Sequence, residues 1–401
     1  MKRTYLIVGS LSFLHFFSNA QVLKDTASTV VNKTDIEIVY SHYLQDGNNS
    51  AVTGGIGTEK LIVYGPALHL KNTSGKNSVS FNIGADIISS ASTDNIDFVV
   101  SSASKEDIRT YLNGSYSKKF EKQHLHIHGG SGFSIESDYF SVLGSLGLIK
   151  KDKNELRSFS VQFQFFNDDL RWGRINAGHY KPVGLIYPQE LRYREWYDTY
   201  DRYSYILKLG FTQVLNRRNT LGLFPELTYQ QGLLATPFHR VYFADNKLAV
   251  ENLPGERWKG SVALKLNTFF DGTVIFKNAI QGYMDNFGIL ALSFENETAI
   301  KITPSLTLLH LVRIYSQKKS DYFSPYKEHK ISDKFYTSDY DLSSFQTYCA
   351  GVGVKYSPQS YLRKRFIFNA IIFRYNYQFR TNNLNAHIFS LIIQTSVLGR
   401  K

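Results

Sequence analysis

A two-residue alternation of apolar and polar side chains, repeated from about residue 36 to the C-terminus, limits what this chain can fold into more than any other feature. Phe159, Val161, Phe163 and Phe165 interleave with Ser158, Ser160, Gln162 and Gln164. Tyr203, Tyr205, Leu207, Leu209 and Phe211 interleave with Ser204, Lys208, Gly210 and Thr212. The weave returns at Val262, Leu264 and Leu266, and again at Phe389, Leu391, Ile393 and Val397. Successive side chains of a strand point to opposite faces, so each segment has one greasy face and one polar face. A soluble sandwich turns the greasy face inward, whereas a membrane barrel turns it outward.

The first twenty residues favour the outward reading. Lys2 and Arg3 precede an apolar stretch over 5–17, and Ser18-Asn19-Ala20 offers a small-x-small cleavage site. Residues 1–20 therefore read as a signal peptide, with Gln21 as the mature N-terminus. The stretch is short and broken by Gly9, Ser10, Ser12 and His15, which argues against a membrane-spanning anchor. No later run approaches the length of a helical span. A short periplasmic segment over 21–35 and a barrel over 36–401 are expected to follow, in the outer membrane of a Gram-negative bacterium.

Alternating segments fall at about 36–45, 58–70, 76–89, 106–119, 123–135, 139–150, 155–166 and 202–215. They continue at 220–233, 257–269, 273–283, 289–301, 306–317, 344–357, 364–379 and 386–398. The expected fold is all-β: an antiparallel up-and-down transmembrane barrel of about sixteen strands (14–18). Short connectors such as Asn216–Asn219, Phe270–Gly272 and Ile302–Ser305 carry turn chemistry. They alternate with longer ones at 46–57, 90–105, 167–201, 234–256 and 318–343, the pattern of periplasmic turns and external loops. So few residues before the first strand leave no room for a plug domain, and no globular tail is expected after residue 398.

Aromatics make up 15% of the chain, with 27 Tyr and 29 Phe, which suits the girdles of a membrane barrel. The single cysteine, Cys349, excludes an internal disulfide and a cysteine metal cluster. The formal charge is +12, or +10 once Lys2 and Arg3 leave, and suits lipopolysaccharide phosphates or an anion-favouring lumen. No nucleic-acid module is present, and an exported chain seldom meets such a partner. No G-x-S-x-G elbow occurs and no serine is placed to use His239, so an enzyme is not expected.

Between 237 and 345 the chain carries several distinctive phrases. Pro237-Phe238-His239-Arg240-Val241-Tyr242-Phe243 is followed by Glu251-Asn252-Leu253-Pro254-Gly255-Glu256-Arg257-Trp258. Asp285-Asn286-Phe287-Gly288, Arg313-Ile314-Tyr315-Ser316-Gln317, Asp321-Tyr322-Phe323 and Thr337-Ser338-Asp339-Tyr340-Asp341-Leu342 come after. With Asp86–Ser92, their order and spacing resemble the outer-membrane barrel family called domain of unknown function 3570, common in Bacteroidota. The resemblance implies a barrel and an outer-membrane address, and no activity. Asn286-Phe287 departs from the Asp-Trp usual there, and Lys318-Lys319-Ser320 from small residues.

Chemistry-bearing residues cluster in four places. His124, His126 and His128 stand at i, i+2 and i+4, where strand neighbours on one face are about 6.5–7 Å apart, a spacing that suits a transition metal. The bland alternative is polar lining of a wet lumen. Lys208 and Lys265 are expected to set the lumen's charge. The connector 167–201 interleaves Arg171, Trp172, Arg174, Arg192, Arg194 and Trp196, apt for a sugar, a phosphate or a partner protein, or for packing on itself. His239 and Arg240 with Glu251, and Asp321, Asp339 and Asp341, complete the candidates, the acidic residues being of the type that binds Ca²⁺ or, without EF-hand spacing, of a solvated loop packed on itself. The leading expectation is a porin-like channel for small, anionic solutes. The alternatives are a closed barrel that docks a periplasmic or surface partner, or a metal- or redox-linked barrel using the histidine ladder. Oligomeric state has no signature.

Overall fold

The computed structural model describes residues 32–90, 106–136, 139–170, 201–236, 239–358, 360–363 and 365–399. The expected signal peptide lies outside the described residues. The strands are β1 Asn32–Gly47, β2 Leu61–Ser74, β3 Asn77–Ser90, β4 Glu106–Phe120, β5 Leu125–Glu136, β6 Tyr139–Lys151, β7 Arg157–Asp169, β8 Asp201–Val214 and β9 Asn219–Gly232. They continue as β10 Arg240–Tyr242, β11 Leu248–Val250, β12 Glu256–Phe270, β13 Val274–Asp285, β14 Leu290–Lys301, β15 Leu306–Gln317 and β16 Phe345–Tyr356. The last are β17 Ser360–Arg363, β18 Phe366–Arg380 and β19 Leu384–Leu398.

Each long strand pairs antiparallel with its sequence neighbour, β9 with β12, and β1 with both β2 and β19. The sheet therefore closes on itself. Leaving aside the β10–β11 hairpin and short β17, which extends the β16–β18 edge, sixteen strands form the barrel among the described residues. β1 begins at Asn32, ahead of the expected start at 36, because Lys33 and Thr34 already pair with Thr73 and Asn72.

Burial follows the alternation. In β16 the pattern switches at nearly every residue, with Tyr348, Val352 and Val354 outside and Cys349, Gly351 and Gly353 inside. Outward faces expose large apolar side chains all round, among them Leu146, Phe163, Leu227, Val262, Leu292 and Phe373. Contiguous apolar area on that scale has to meet hydrocarbon rather than water. Aromatics cross from strand to strand near the end of the barrel that bears the long connectors. Phe165, Tyr205, Tyr229 and Trp258 form one such ladder, with centroids 5.2, 6.2 and 4.3 Å apart. Tyr375, Phe389, His42 and Tyr64 form another, at 4.9, 6.2 and 4.7 Å. Cross-strand aromatic pairs of this kind brace a sheet, and at that height they suit a membrane interface.

Turns at one end of the barrel are tight. Asp271 (φ 48°) and Gly272 (φ 69°) take the left-handed geometry of a hairpin, and the Asn216 side chain accepts from Arg218 N and Asn219 N. Long connectors at 48–60, 233–255 and 318–344 share the other end with brief ones at 286–289 and 381–383. The segments 91–105 and 171–200 lie outside the described residues.

Candidate functional site

Two connectors fold onto each other at the long-loop mouth. In 233–255 the register Val241↔Ala249 makes a small hairpin, and one rung further His239 faces Glu251, whose N–H donates to the His239 carbonyl at 2.8 Å. The connector 318–344 lies alongside. Tyr336 and Asn252 exchange backbone hydrogen bonds of 2.7 and 3.0 Å, and Phe243 bridges to His329. Val241, Phe243, Ala249 and Tyr336 form one apolar cluster between them. Leu253, Phe287, Ile289, Phe323 and Leu342 form a second, which joins the brief connector 286–289.

Lumenal side chains anchor this cap. Arg380 of β18 binds Asp341 at 2.7 Å and stacks on Phe345, its guanidinium carbon 3.9 Å from the ring centroid. Gln317 of β15 donates to the carbonyls of Asp341 and Ser343. Ser320 is wholly buried and donates to the Phe287 carbonyl at 2.8 Å. The Lys318-Lys319-Ser320 departure thus ends on a small residue that the packing requires.

At the centre of the cap three chemistry-bearing side chains converge. His239 Nδ1 stands 3.6 Å from Glu251 Oε1 and 3.4 Å from Asp339 Oδ2, and all three residues are buried. Glu251 Oε2 accepts from Thr236 N and Oε1 from the Thr337 hydroxyl, both at 2.5 Å. Asp339 Oδ1 accepts from Asp341 N at 2.8 Å, which turns Oδ2 toward the imidazole. Beside them Glu59 lines a small recess with Asp339, Asp341 and Arg380. Burial, reinforced by Asp341 and Asp339 and opposed by Arg380, pushes the Glu59 carboxyl up to about 8. Burial likewise raises the Tyr340 phenol, with Glu328 adding to it.

The other acidic residues of 318–344 go to separate partners. Asp333 meets His329 at 3.2 Å, Asp341 meets Arg380, and Asp321 is exposed beside Gly288. Among the described residues they serve the packing of the loop on itself and do not gather into one oxygen-rich site. Arg240 lies at the start of β10, its Nε buried. Arg171, Trp172, Arg174, Arg192, Arg194 and Trp196 lie outside the described residues.

The histidine ladder is shorter than the spacing implied. His124 has φ 49° and caps a 3-10 turn before β5, because the tight turn needs a left-handed residue there. It is therefore off the strand. His126 and His128 do share the lumenal face, opposite exposed Ile127, with ring centroids 6.0 Å apart.

Lys208 and Lys265 both face the lumen, on strands whose Leu209 and Leu264 face out. Lys208 lies 3.8 Å from Glu226, and Lys265 rests over the Phe224 ring at 5.4 Å. Sequence reasoning missed a third group: Lys277 of β13 and Arg374 of β18 both bind Glu297 of β14, at 2.7 and 3.0 Å. Arg374 reaches across β15 and β16 because Gly351 and Gly353 leave the lumenal wall bare there. The signal available was two glycines on the polar face of one strand, next to a strand carrying an inward arginine.

The sequence matches, over residues 5–370, the family described as "Protein of unknown function (DUF3570)". The chain belongs to this family. The matched span holds all the mouth phrases and stops inside β18, before closing strand β19. None of the curated proteins compared matches the chain. Among solved structures it is similar to a BenF-like porin from Pseudomonas fluorescens, at 11% identity and TM-score 0.42 over 91% of this chain and 99% of that one. The outer membrane protein opdK from Pseudomonas aeruginosa is similar at 10% identity and TM-score 0.41, over 92% and 99%. A bacterial polysaccharide outer membrane secretin is similar at 6% identity and TM-score 0.47, over 92% and 98%. The barrel assignment rests on the strand ladder of this chain itself.

Proposed function

We propose that the protein is an outer-membrane, porin-like barrel that passes small solutes and favours anions, exported by the leader at 1–20. The observation that carries the reading is the lumenal cation group. Lys277 and Arg374 share the single carboxylate of Glu297, and Lys265 lies against an aromatic ring. Surplus positive charge inside a low-dielectric wall lowers the energy of an anion in transit and raises that of a cation.

Planar-bilayer recording with salt gradients tests this. Stable conductance steps with anion-selective reversal potentials are expected, and Lys208→Glu with Lys265→Glu should move the reversal potential toward cations. Unchanged selectivity in the double variant would remove these lysines from the solute path.

A second reading is a barrel closed by its own cap that docks a periplasmic or surface partner. The observation favouring it is the build of the cap, in which Ser320 and Thr337 are wholly buried and Ser338 nearly so. Silence from well-folded protein in the bilayer would put this reading first.

A further inference from the structure

We propose that His239, Glu251 and Asp339 bind one divalent transition-metal ion, with zinc as the reference case. The ion would clasp connector 233–255 to connector 318–344 over the mouth. The site holds whether or not the barrel conducts.

The geometry is close to what such an ion requires. Tetrahedral coordination with bonds of about 2.0–2.1 Å puts ligand atoms roughly 3.3–3.4 Å apart. His239 Nδ1 is 3.4 Å from Asp339 Oδ2 and 3.6 Å from Glu251 Oε1, and all three ligand atoms lie within 4.8 Å of one another.

The independent observation is the imidazole itself. His239 is only 4% exposed, and its Nδ1 has no hydrogen-bond partner among the described residues. A buried ring nitrogen facing two carboxylate oxygens without a hydrogen bond to either is costly for a neutral ring. A metal ion between the three atoms removes that cost.

The surroundings hold the carboxylates in place. Thr236 N and the Thr337 hydroxyl fix Glu251, and Asp341 N fixes Asp339. Thr337 is held in turn by His329 Nε2, which lies 3.0 Å from its carbonyl oxygen. Such outer partners orient ligands and tune affinity. Two carboxylates and one imidazole also match the 2+ charge of such an ion. One nitrogen and two oxygens suit Zn²⁺, Mn²⁺ or Fe²⁺. Ca²⁺ demands six to eight oxygens.

The competing explanation is an imidazolium held between two carboxylates with no metal. Full-length mature protein in detergent, stripped with a chelator, separates the two by calorimetric Zn²⁺ titration and the visible spectrum of added Co²⁺. One equivalent of Zn²⁺ and tetrahedral Co²⁺ bands are expected. His239→Ala and Asp339→Asn should each weaken binding by at least about 10-fold and abolish the bands, while His126→Ala/His128→Ala leaves both intact. Zn²⁺ should also slow proteolysis within 233–255 and 318–344. Absence of binding by folded parent protein would overturn the proposal, as would binding that survives both variants or is lost with His126 and His128. Folding is checked by heat-modifiable gel mobility; if His239→Ala does not fold, the isosteric Asp339→Asn and the parent Co²⁺ spectrum still decide.

Discussion

Replacing Arg257 with Met should destabilise the barrel by about 3 kcal/mol, and Asp285→Asn in the same chain should restore part of the loss. Asp285, at the mouth end of β13, has a side chain with no solvent exposure, and that of Arg257 is 14% exposed. Asp285 Oδ2 accepts from Arg257 Nε at 3.0 Å, from Arg257 Nη2, and from the Tyr283 hydroxyl at 2.8 Å. Its Oδ1 accepts from Phe287 N and Ile289 N, both at 3.0 Å. The Arg257 guanidinium also lies over the Phe287 ring, 4.4 Å from its centroid. Methionine keeps an apolar stem above Phe287 and removes the cation. Breaking a buried pair from one side costs about 3–5 kcal/mol, and the three donors left on Asp285 put this case at the low end. That corresponds to roughly a hundredfold fall in the folding equilibrium. The assay is a denaturant titration in lipid vesicles followed by tryptophan fluorescence, since Trp258 adjoins Arg257. With Asp285→Asn added, no charge is stranded, so the double variant should be more stable than Arg257→Met alone. Two results would refute the reasoning: a single variant within about 1 kcal/mol of the parent, or a double variant costing the sum of the singles.

Glu59→Gln tests the acidic corner of the cap. The folded carboxyl titrates at about 8 against 4.5 when unperturbed, so the native state keeps a proton the unfolded chain has released. Its stabilising contribution is complete below pH 4.5 and is lost as pH rises toward 8. Limited proteolysis of the 48–60 connector should become faster over that window in the parent and stay level in Glu59→Gln; equal pH slopes would count against the shift. Gly353→Ala should cost about 1–3 kcal/mol in a denaturant titration. Its Cβ would sit 2.8 Å from the Phe373 carbonyl and 3.0 Å from Arg374 Cγ, which also pushes Arg374 off Glu297 and weakens anion preference. Gly144→Ala, whose added Cβ meets nothing within 4 Å, is the control, and equal losses in the two would remove the steric argument.

The barrel was legible because its signal is one-dimensional. A period of two needs no partner to be seen, and each expected segment lies within a few residues of an observed strand. Phe159, Val161 and Phe163 mark one common face before any neighbour is known, and that face is exposed in the barrel, while Asp271-Gly272 marks its turn. His124 shows where such reading stops. Its spacing from His126 is that of a strand face, but the turn before β5 claims it first, since a left-handed residue is needed to reverse the chain. Local turn chemistry outranked the alternation there.

The mouth was illegible for a different reason. His239 and Glu251 are brought together by a three-rung hairpin too short to show a period, and Asp339 comes from a connector four barrel strands further on. The four antiparallel strands between them return the chain to the same end, so the site exists as a consequence of β12 to β15 pairing in order. The resemblance phrases already contained His239, Glu251, Asp285, Phe287 and Asp339, and the structure shows why such separated phrases occur together. Arg257 and Asp285 fix the brief connector, Phe287 buries beneath it, Ser320 ties the long connector to Phe287, and Asp339 is thereby set against His239. Each link depends on the one before it. A substitution at Arg257 or Ser320 should therefore disturb the His239 site without touching it, whereas one at Lys265, on the lumenal wall, should leave it unchanged.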